Sequence, residues 1–257
     1  MSLTPEQVKT YREQGYLLLP GLVAEERLAR YEQRFLEFAR GTRELPPGMK
    51  IMRDVMIVRG AAEPERAEDG INKAFGFHDD PAMFAYCLEP EILSAVRSLI
   101  GEEVYSITTN LFNKPPGVDG RHPLHQDLLY FSLRPADRIV ASWTALTGTT
   151  RENGCLAVVP ESHKGELLRH GDPDWEYVNF AFFGIAEDEY LRERLPARTH
   201  IEMQRGDTLL FHPLLIHGSG KNASGSSRRA ISAHYASGEC TAPGDDWRRW
   251  EQVRRIG

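Results

Sequence analysis

Apolar residues recur at helical spacing over the first hundred positions, and after Gly101 they fall into short runs of strand type. Thr4-Pro5-Glu6-Gln7 predicts a helix start, with Thr4 as N-cap, Pro5 in the first turn and Gln7 three residues after the cap. That helix is expected to end near Gly15, followed by a short buried strand at 16–19 closed by Pro20-Gly21. From Ala24 to Arg40, the residues Leu28, Tyr31, Phe35 and Phe38 form one helical stripe, read as a packing face and stopped at Gly41. Residues 41–79 are rich in Pro, Gly and charge, with a strand expected around 51–58. Asp80-Pro81 and Glu89-Pro90 each predict a short helix, the second ending at Gly101.

Beyond Gly101 the segments 104–113, 139–147, 155–160, 199–203, 208–211 and 230–236 are rich in β-branched and aromatic residues and are punctuated by Gly, Pro, Asn and Asp. This order predicts an α+β chain: a mainly N-terminal helical flank, then a β-sandwich or barrel. No flexible linker separates the two parts. The expectation is therefore a single domain over 1–257, with 1–100 mainly helical and 101–240 holding most of the β core.

At 257 residues and 41% hydrophobic, the chain can bury a sizeable core. Its net charge of −6 and lack of a dense Lys/Arg run argue against a nucleic-acid partner. No apolar run approaches the roughly 20 residues that span a bilayer, so no membrane span is expected. Cys87, Cys155 and Cys240 are too few and too far apart for a disulfide framework or a thiolate metal site. With no leader pattern after Met1 and no sorting signal at 254–257, they read as thiols in a reducing cytoplasm. The sequon at Asn222 is then read as chance. The partner expected is a small molecule; the pattern says nothing of oligomeric state.

Chemistry concentrates in two stretches, Arg121-His122-Pro123-Leu124-His125-Gln126-Asp127 and Phe211-His212-Pro213-Leu214-Leu215-Ile216-His217. His125 and Asp127 leave the same face of an extended strand. A third ligand has to come from elsewhere, and His217 lies 90 residues beyond Asp127, at the end of an expected strand. Two imidazoles and one carboxylate on one face of an octahedron form the facial triad of non-haem Fe(II) oxygenases. A purely structural reading also stands at this point, in which His125 and Asp127 are a hydrogen-bonded couple.

Arg228 falls 11 residues after His217, across a Gly/Ser turn expected to return the chain as a neighbouring strand. A guanidinium there could clamp the far carboxylate of a dicarboxylic co-substrate. Alternation places Arg228, Ala230 and Ser232 on one face and Arg229, Ile231 and Ala233 on the other, without saying which faces inward. His122 and His212, each followed by Pro, read as supporting or structural. His78, His163, His170, His200 and His234 show no metal spacing and receive no role. A zinc pair from His212 and His217 fails, because Pro213 and a strand-like segment rule out helical spacing.

These stretches, with Asn113-Lys-Pro-Pro, Asn153-Gly-Cys-Leu156, His163-Lys-Gly165, Gly206-Asp-Thr208, the run His217-Gly-Ser-Gly220 and Arg228-Arg-Ala-Ile-Ser232, closely resemble the phytanoyl-CoA dioxygenase family in its bacterial form. The resemblance runs from about residue 4 to about 240. It implies a double-stranded β-helix, or jelly-roll, with helices outside. It also implies Fe(II) held by His125, Asp127 and His217, 2-oxoglutarate held by Arg228, and O2 as the oxidant. Trp143 matches a tryptophan of the co-substrate pocket, and Lys73 a lysine that can contact 2-oxoglutarate. Asn110 departs from the family's methionine at a co-substrate contact.

Retention of a carboxylate at Asp127 points to hydroxylation, since halogenases of the wider group vacate that position. The activity implied is hydroxylation of an acyl-CoA-like substrate with release of succinate and CO2. The alternatives are the same chemistry on an amino-acid-like or natural-product substrate, or a non-catalytic metal- or ligand-binding sensor. Gln126 and Asn222 are expected near substrate, Gln126 only if the strand ends beside it.

Overall fold

The computed structural model describes residues 2–186 and 197–256, so Met1 and Gly257, at the ends read for targeting, lie outside the described residues. Thr4 caps α1 (Pro5–Gln14) through a reciprocal pair of bonds: its hydroxyl accepts from Gln7 N, and the Gln7 side chain accepts from Thr4 N. Gly15 closes the helix at φ 83°, in the left-handed region. Next come β1 (Tyr16–Leu19) and α2 (Glu25–Ala39).

The strand expected over 51–58 is divided. After β2 (Lys50–Arg53), the Asp54 carboxylate accepts from Met56 N and starts α3 (Val55–Val58). One N-cap thus overrides the strand preference of Val and Ile. The strand β3 (Ile71–Phe75) was not legible in its charged surroundings, whereas α4 (Pro81–Phe84) and α5 (Pro90–Ile100) begin at their prolines.

The β-rich half contains β4 (Val104–Lys114), β5 (His122–His125), β6 (Ile139–Ala145), β7 (Leu156–Val158), β8 (His170–Gly171) and β9 (Gly184–Ile185). It continues with β10 (Thr199–Ile201), β11 (Thr208–Phe211), β12 (His217–Ser219), β13 (Arg228–Ser237) and β14 (Arg254–Arg255). Among the described residues, an eight-stranded antiparallel sheet runs β1-β11-β6-β13-β4-β3-β2, with β14 added against β4. A four-stranded antiparallel sheet runs β10-β7-β12-β5. β8 and β9 pair with each other.

Strands β6, β11 and β13 are buried on both faces, and their period of two sorts side chains between two cores. On one face Val140, Leu210, Ile231 and Tyr235 join Leu28, Tyr31 and Phe35 of α2. On the other, Ala141, Trp143, Leu209, Phe211 and Ala230 meet Leu156 and Val158 of β7. The large sheet therefore carries helices on one side and the small sheet on the other. Phe35 is fully buried beneath the Arg229 guanidinium, 6.0 Å from its ring centre. Phe35→Ala is expected to cost about 3–5 kcal/mol in urea unfolding. A loss below about 1 kcal/mol would mean that the helices do not belong to the cooperative core.

Candidate active site

Strands β5 and β12 pair antiparallel, and their register sets His217 directly opposite His125. The approach requires Gly218, where a Cβ would stand 2.8 Å from His122 O and 3.0 Å from Pro123 O. Each imidazole is turned by its own backbone: His125 Nδ1 donates to Pro123 O at 2.8 Å and His217 Nδ1 to Leu215 O at 3.0 Å. Both Nε2 atoms are thereby left as the free acceptors.

The strand stops at His125, and Asp127 opens a 3-10 turn over Asp127–Tyr130, pinned by Leu128 N to Pro213 O at 2.9 Å. Convergence with His125 thus comes from a strand end and a turn, not from one continuous strand face. Likewise His217 begins its strand instead of ending one. Asp127 Oδ1 lies 3.2 Å from His125 Nε2 and 3.7 Å from His217 Nε2. The three ligand atoms all fall within 4.8 Å of one another.

The protonation states suit a cation. Burial, reinforced by the neighbouring His125, pushes His217 down to about 4, so its imidazole is neutral at pH 7. Burial alone would raise the Asp127 carboxyl. The electrostatic pull of His217 and His234, together with the hydrogen bond from His234, overcomes it, holding Asp127 well below the usual carboxylate range. Two imidazole Nε2 atoms, each aimed by an Nδ1 bond to a backbone carbonyl, and an ionised oxygen form a donor set that fits Fe(II).

Arg228 reaches the same space from the opposite sheet. The turn after His217 does not return the chain as a neighbouring strand: β12 belongs to the small sheet, while β13 lies between β4 and β6 in the large one. Crossing between sheets lets Arg228 and His217 face each other across a cavity. Arg229 points the other way, where its Nη1 meets Glu32 at 2.8 Å and its Nε donates to Asn113 Oδ1 at 3.0 Å.

Arg228 is 3% exposed, and its Nη2 donates to Gly154 O at 2.9 Å, yet its Nε is buried without a partner. No carboxylate among the described residues pairs with it. Burial lowers the guanidinium to about 10, which leaves it charged at pH 7. The Trp143 ring lies 5.4 Å beneath it. A buried cation with an unsatisfied N–H is costly unless an anion arrives, and a carboxylate matches the guanidinium fork.

The cavity encloses about 490 Å³ and is lined by all three triad residues, Arg228, Trp143, Lys73 and Asn110. Lys73 Nζ stands 5.1 Å from the Phe112 ring centre and 5.4 Å from that of Phe75. Burial lowers its ammonium to about 8, opposed by the charge of Asp127. Tyr130, Phe131, Phe182 and Phe211 complete an aromatic wall, and the exposed Phe180 stands at the mouth.

The sequence model of the phytanoyl-CoA dioxygenase family matches residues 11–230. The chain belongs to the phytanoyl-CoA dioxygenase family. It is 44% identical over 243 residues to the peroxisomal phytanoyl-CoA dioxygenase of Homo sapiens, an alignment covering 93% of this chain and 70% of the human protein. A probable phytanoyl-CoA dioxygenase of Caenorhabditis elegans is 44% identical over 241 residues, covering 91% of this chain and 75% of the relative. Among solved structures, the non-heme alpha-ketoglutarate-dependent epimerase SnoN from nogalamycin biosynthesis matches with a TM-score of 0.69 at 16% identity, over 98% of both chains. EctD from S. alaskensis matches with a TM-score of 0.65 at 20% identity, over 91% of this chain and 77% of the other. At such identities the structural likeness speaks for the fold. As a member of the phytanoyl-CoA dioxygenase family, this chain is an enzyme, a dioxygenase dependent on iron and 2-oxoglutarate.

Two residues expected near substrate are placed elsewhere. Gln126 is fully buried on the far side of its strand end, where Nε2 donates to Glu166 O and Leu214 O, both at 3.0 Å, and Oε1 accepts from Leu168 N at 2.8 Å. Its amide serves three backbone groups and does not line the cavity. Asn222 donates to Lys114 O at 2.8 Å and Ser226 O at 2.7 Å, and accepts from Ser224 N at 2.9 Å. It ties the turn before β13, because these backbone groups need a partner inside the fold.

Of His122 and His212, only His122 lines the cavity. His122 is sandwiched between His125 and Phe182 at ring separations of 4.2 and 3.9 Å, and burial keeps it well below its usual range. His212 pairs with Asp137 at 2.9 Å, away from the cavity. His234, given no role above, hydrogen-bonds Asp127 at 2.7 Å. Extending the Arg228–Ser232 alternation by two residues would have found it.

Proposed function

We propose that this enzyme hydroxylates a C–H of an acyl-CoA substrate, using Fe(II) held by His125, Asp127 and His217 and 2-oxoglutarate held by Arg228. The observation that carries this reading is Arg228, a buried charge with no carboxylate partner among the described residues, facing the triad across one cavity. Bound there, iron supplies O2-dependent oxidation, with succinate and CO2 as co-products of 2-oxoglutarate. The chain's own residues bind and orient. Arg228 takes the distal carboxylate while Trp143 backs the guanidinium, and Lys73 and Asn110 bound the same pocket. Because the desolvation of Arg228 is already met in folding, an arriving carboxylate finds a preorganised partner.

The aromatic wall excludes water and suits a hydrocarbon chain, and about 490 Å³ accommodates an acyl segment with the CoA portion left outside. Relatives at 44% identity bear the name phytanoyl-CoA dioxygenase, which favours a thioester. The two antiparallel sheets are read as a double-stranded β-helix within a single oxygenase domain over 1–257, and the cytoplasm as its compartment. Succinate release should be fastest with branched acyl-CoA thioesters, compared with the matching free acids and amino-acid-like solutes. Faster turnover with free acids or solutes would overturn the substrate assignment.

A further inference from the structure

The Asp127 carboxylate is held from two sides. Oδ1 faces the Nε2 atoms of His125 and His217 at 3.2 and 3.7 Å, while Oδ2 accepts from His234 Nε2 at 2.7 Å. His234 shares the inward face of β13 with Arg228 and Ser232 and stands opposite Thr108 of β4. Its Nδ1 lies 2.8 Å from Thr108 Oγ1. A carboxylate only accepts, so Nε2 donates to Oδ2, and Nδ1 is left to accept from the Thr108 hydroxyl. The ring is wedged by Phe131 and Phe211, at centroid separations of 4.9 and 6.5 Å. Directly after His234 the register of β13 on β4 slips, with Ile107 as the extra residue. Bulges of this kind aim a side chain at a site.

The geometry points to His234 as a positioning residue that holds Asp127 by Oδ2, so that a single oxygen, Oδ1, is presented to the cation. This rests on the metal-site reading above and goes beyond it. Two imidazoles and a one-oxygen carboxylate leave three of six octahedral positions for co-substrate and O2. A carboxylate free to turn and bind through both oxygens would take one of them. His234 is not a fourth ligand, since Nε2 is committed to Asp127 and Nδ1 to Thr108.

Anaerobic Co(II) titration of the full chain, followed by visible d–d absorption, tests this without turnover. His234→Leu should weaken Co(II) binding by about 10–100-fold, the usual effect of losing a partner behind a metal ligand, and should change the band pattern. His234→Gln, whose amide can donate to Oδ2, should restore most of both. Wild-type affinity and spectrum in His234→Leu would overturn the inference, as would equal losses in the Leu and Gln variants. Should the leucine variant not fold, Thr108→Val carries the test, since it keeps the ring and removes the donor that sets its tautomer; unchanged Co(II) affinity and spectrum there would also overturn the inference. Failure of the wild-type chain to bind Co(II) would sink the metal site itself and this inference with it. Intact wild-type binding with unaltered variants sinks this inference alone.

Discussion

His217→Ala is expected to lower Fe(II)-dependent succinate formation from 2-oxoglutarate by more than about 100-fold, since loss of a mere outer-shell partner costs about 10–100-fold. His217 is one of two nitrogens in a three-atom donor set, and its Nε2 is left free by the bond from Nδ1 to Leu215 O. Without it, His125 and Asp127 offer the cation two donors. The ring also packs against Phe211 at 4.7 Å, so thermal unfolding of the metal-free variant has to accompany the assay. A folded variant that retains turnover within about threefold of wild type would refute the metal assignment.

Arg228→Met should separate function from stability. Stripping one partner from a buried charge pair costs about 2–5 kcal/mol. The KM for 2-oxoglutarate should therefore rise from roughly 30-fold to several thousand-fold. In the free protein, however, Arg228 is a buried cation whose Nε has no partner, and an apolar side chain of similar length removes that penalty. The metal-free variant is expected to melt no lower than wild type while losing 2-oxoglutarate turnover. Arg228→Lys should not rescue, because an ammonium lacks the planar fork. A lowered melting temperature together with an unchanged KM would identify Arg228 as structural.

These expectations draw unequally on sequence and structure. α1 was legible because Thr4, Pro5, Gln7 and Gly15 act on their own neighbours. The strand over 51–58 was misread because the Asp54 carboxylate, a single local bond, outweighed the β-branched composition beside it. Gln126 was ambiguous between two faces, and the choice fell to Glu166, Leu214 and Leu168, backbone groups 40 or more residues away. His234 shows no metal spacing in the sequence, because its role rests on a contact made across the fold. Its partner, Asp127, lies 107 residues distant.

By itself, the sequence determined the ligand types, the two-residue step from His125 to Asp127, the boundaries of α1, α2 and α5 and the alternation along β13. Those properties are set by covalent order and by backbone geometry within a few residues. Only the tertiary structure decided which face of β13 looks inward. Burying Ile231 and Tyr235 against α2 turns Arg229 toward Glu32 and leaves Arg228, Ser232 and His234 facing the triad. The same packing placed His217 opposite His125 and put β12 and β13 in different sheets, so that a cavity opens between them. A strand has two chemically plausible faces, and what settles the choice is the surface that packs against it, contributed by residues far away in the chain.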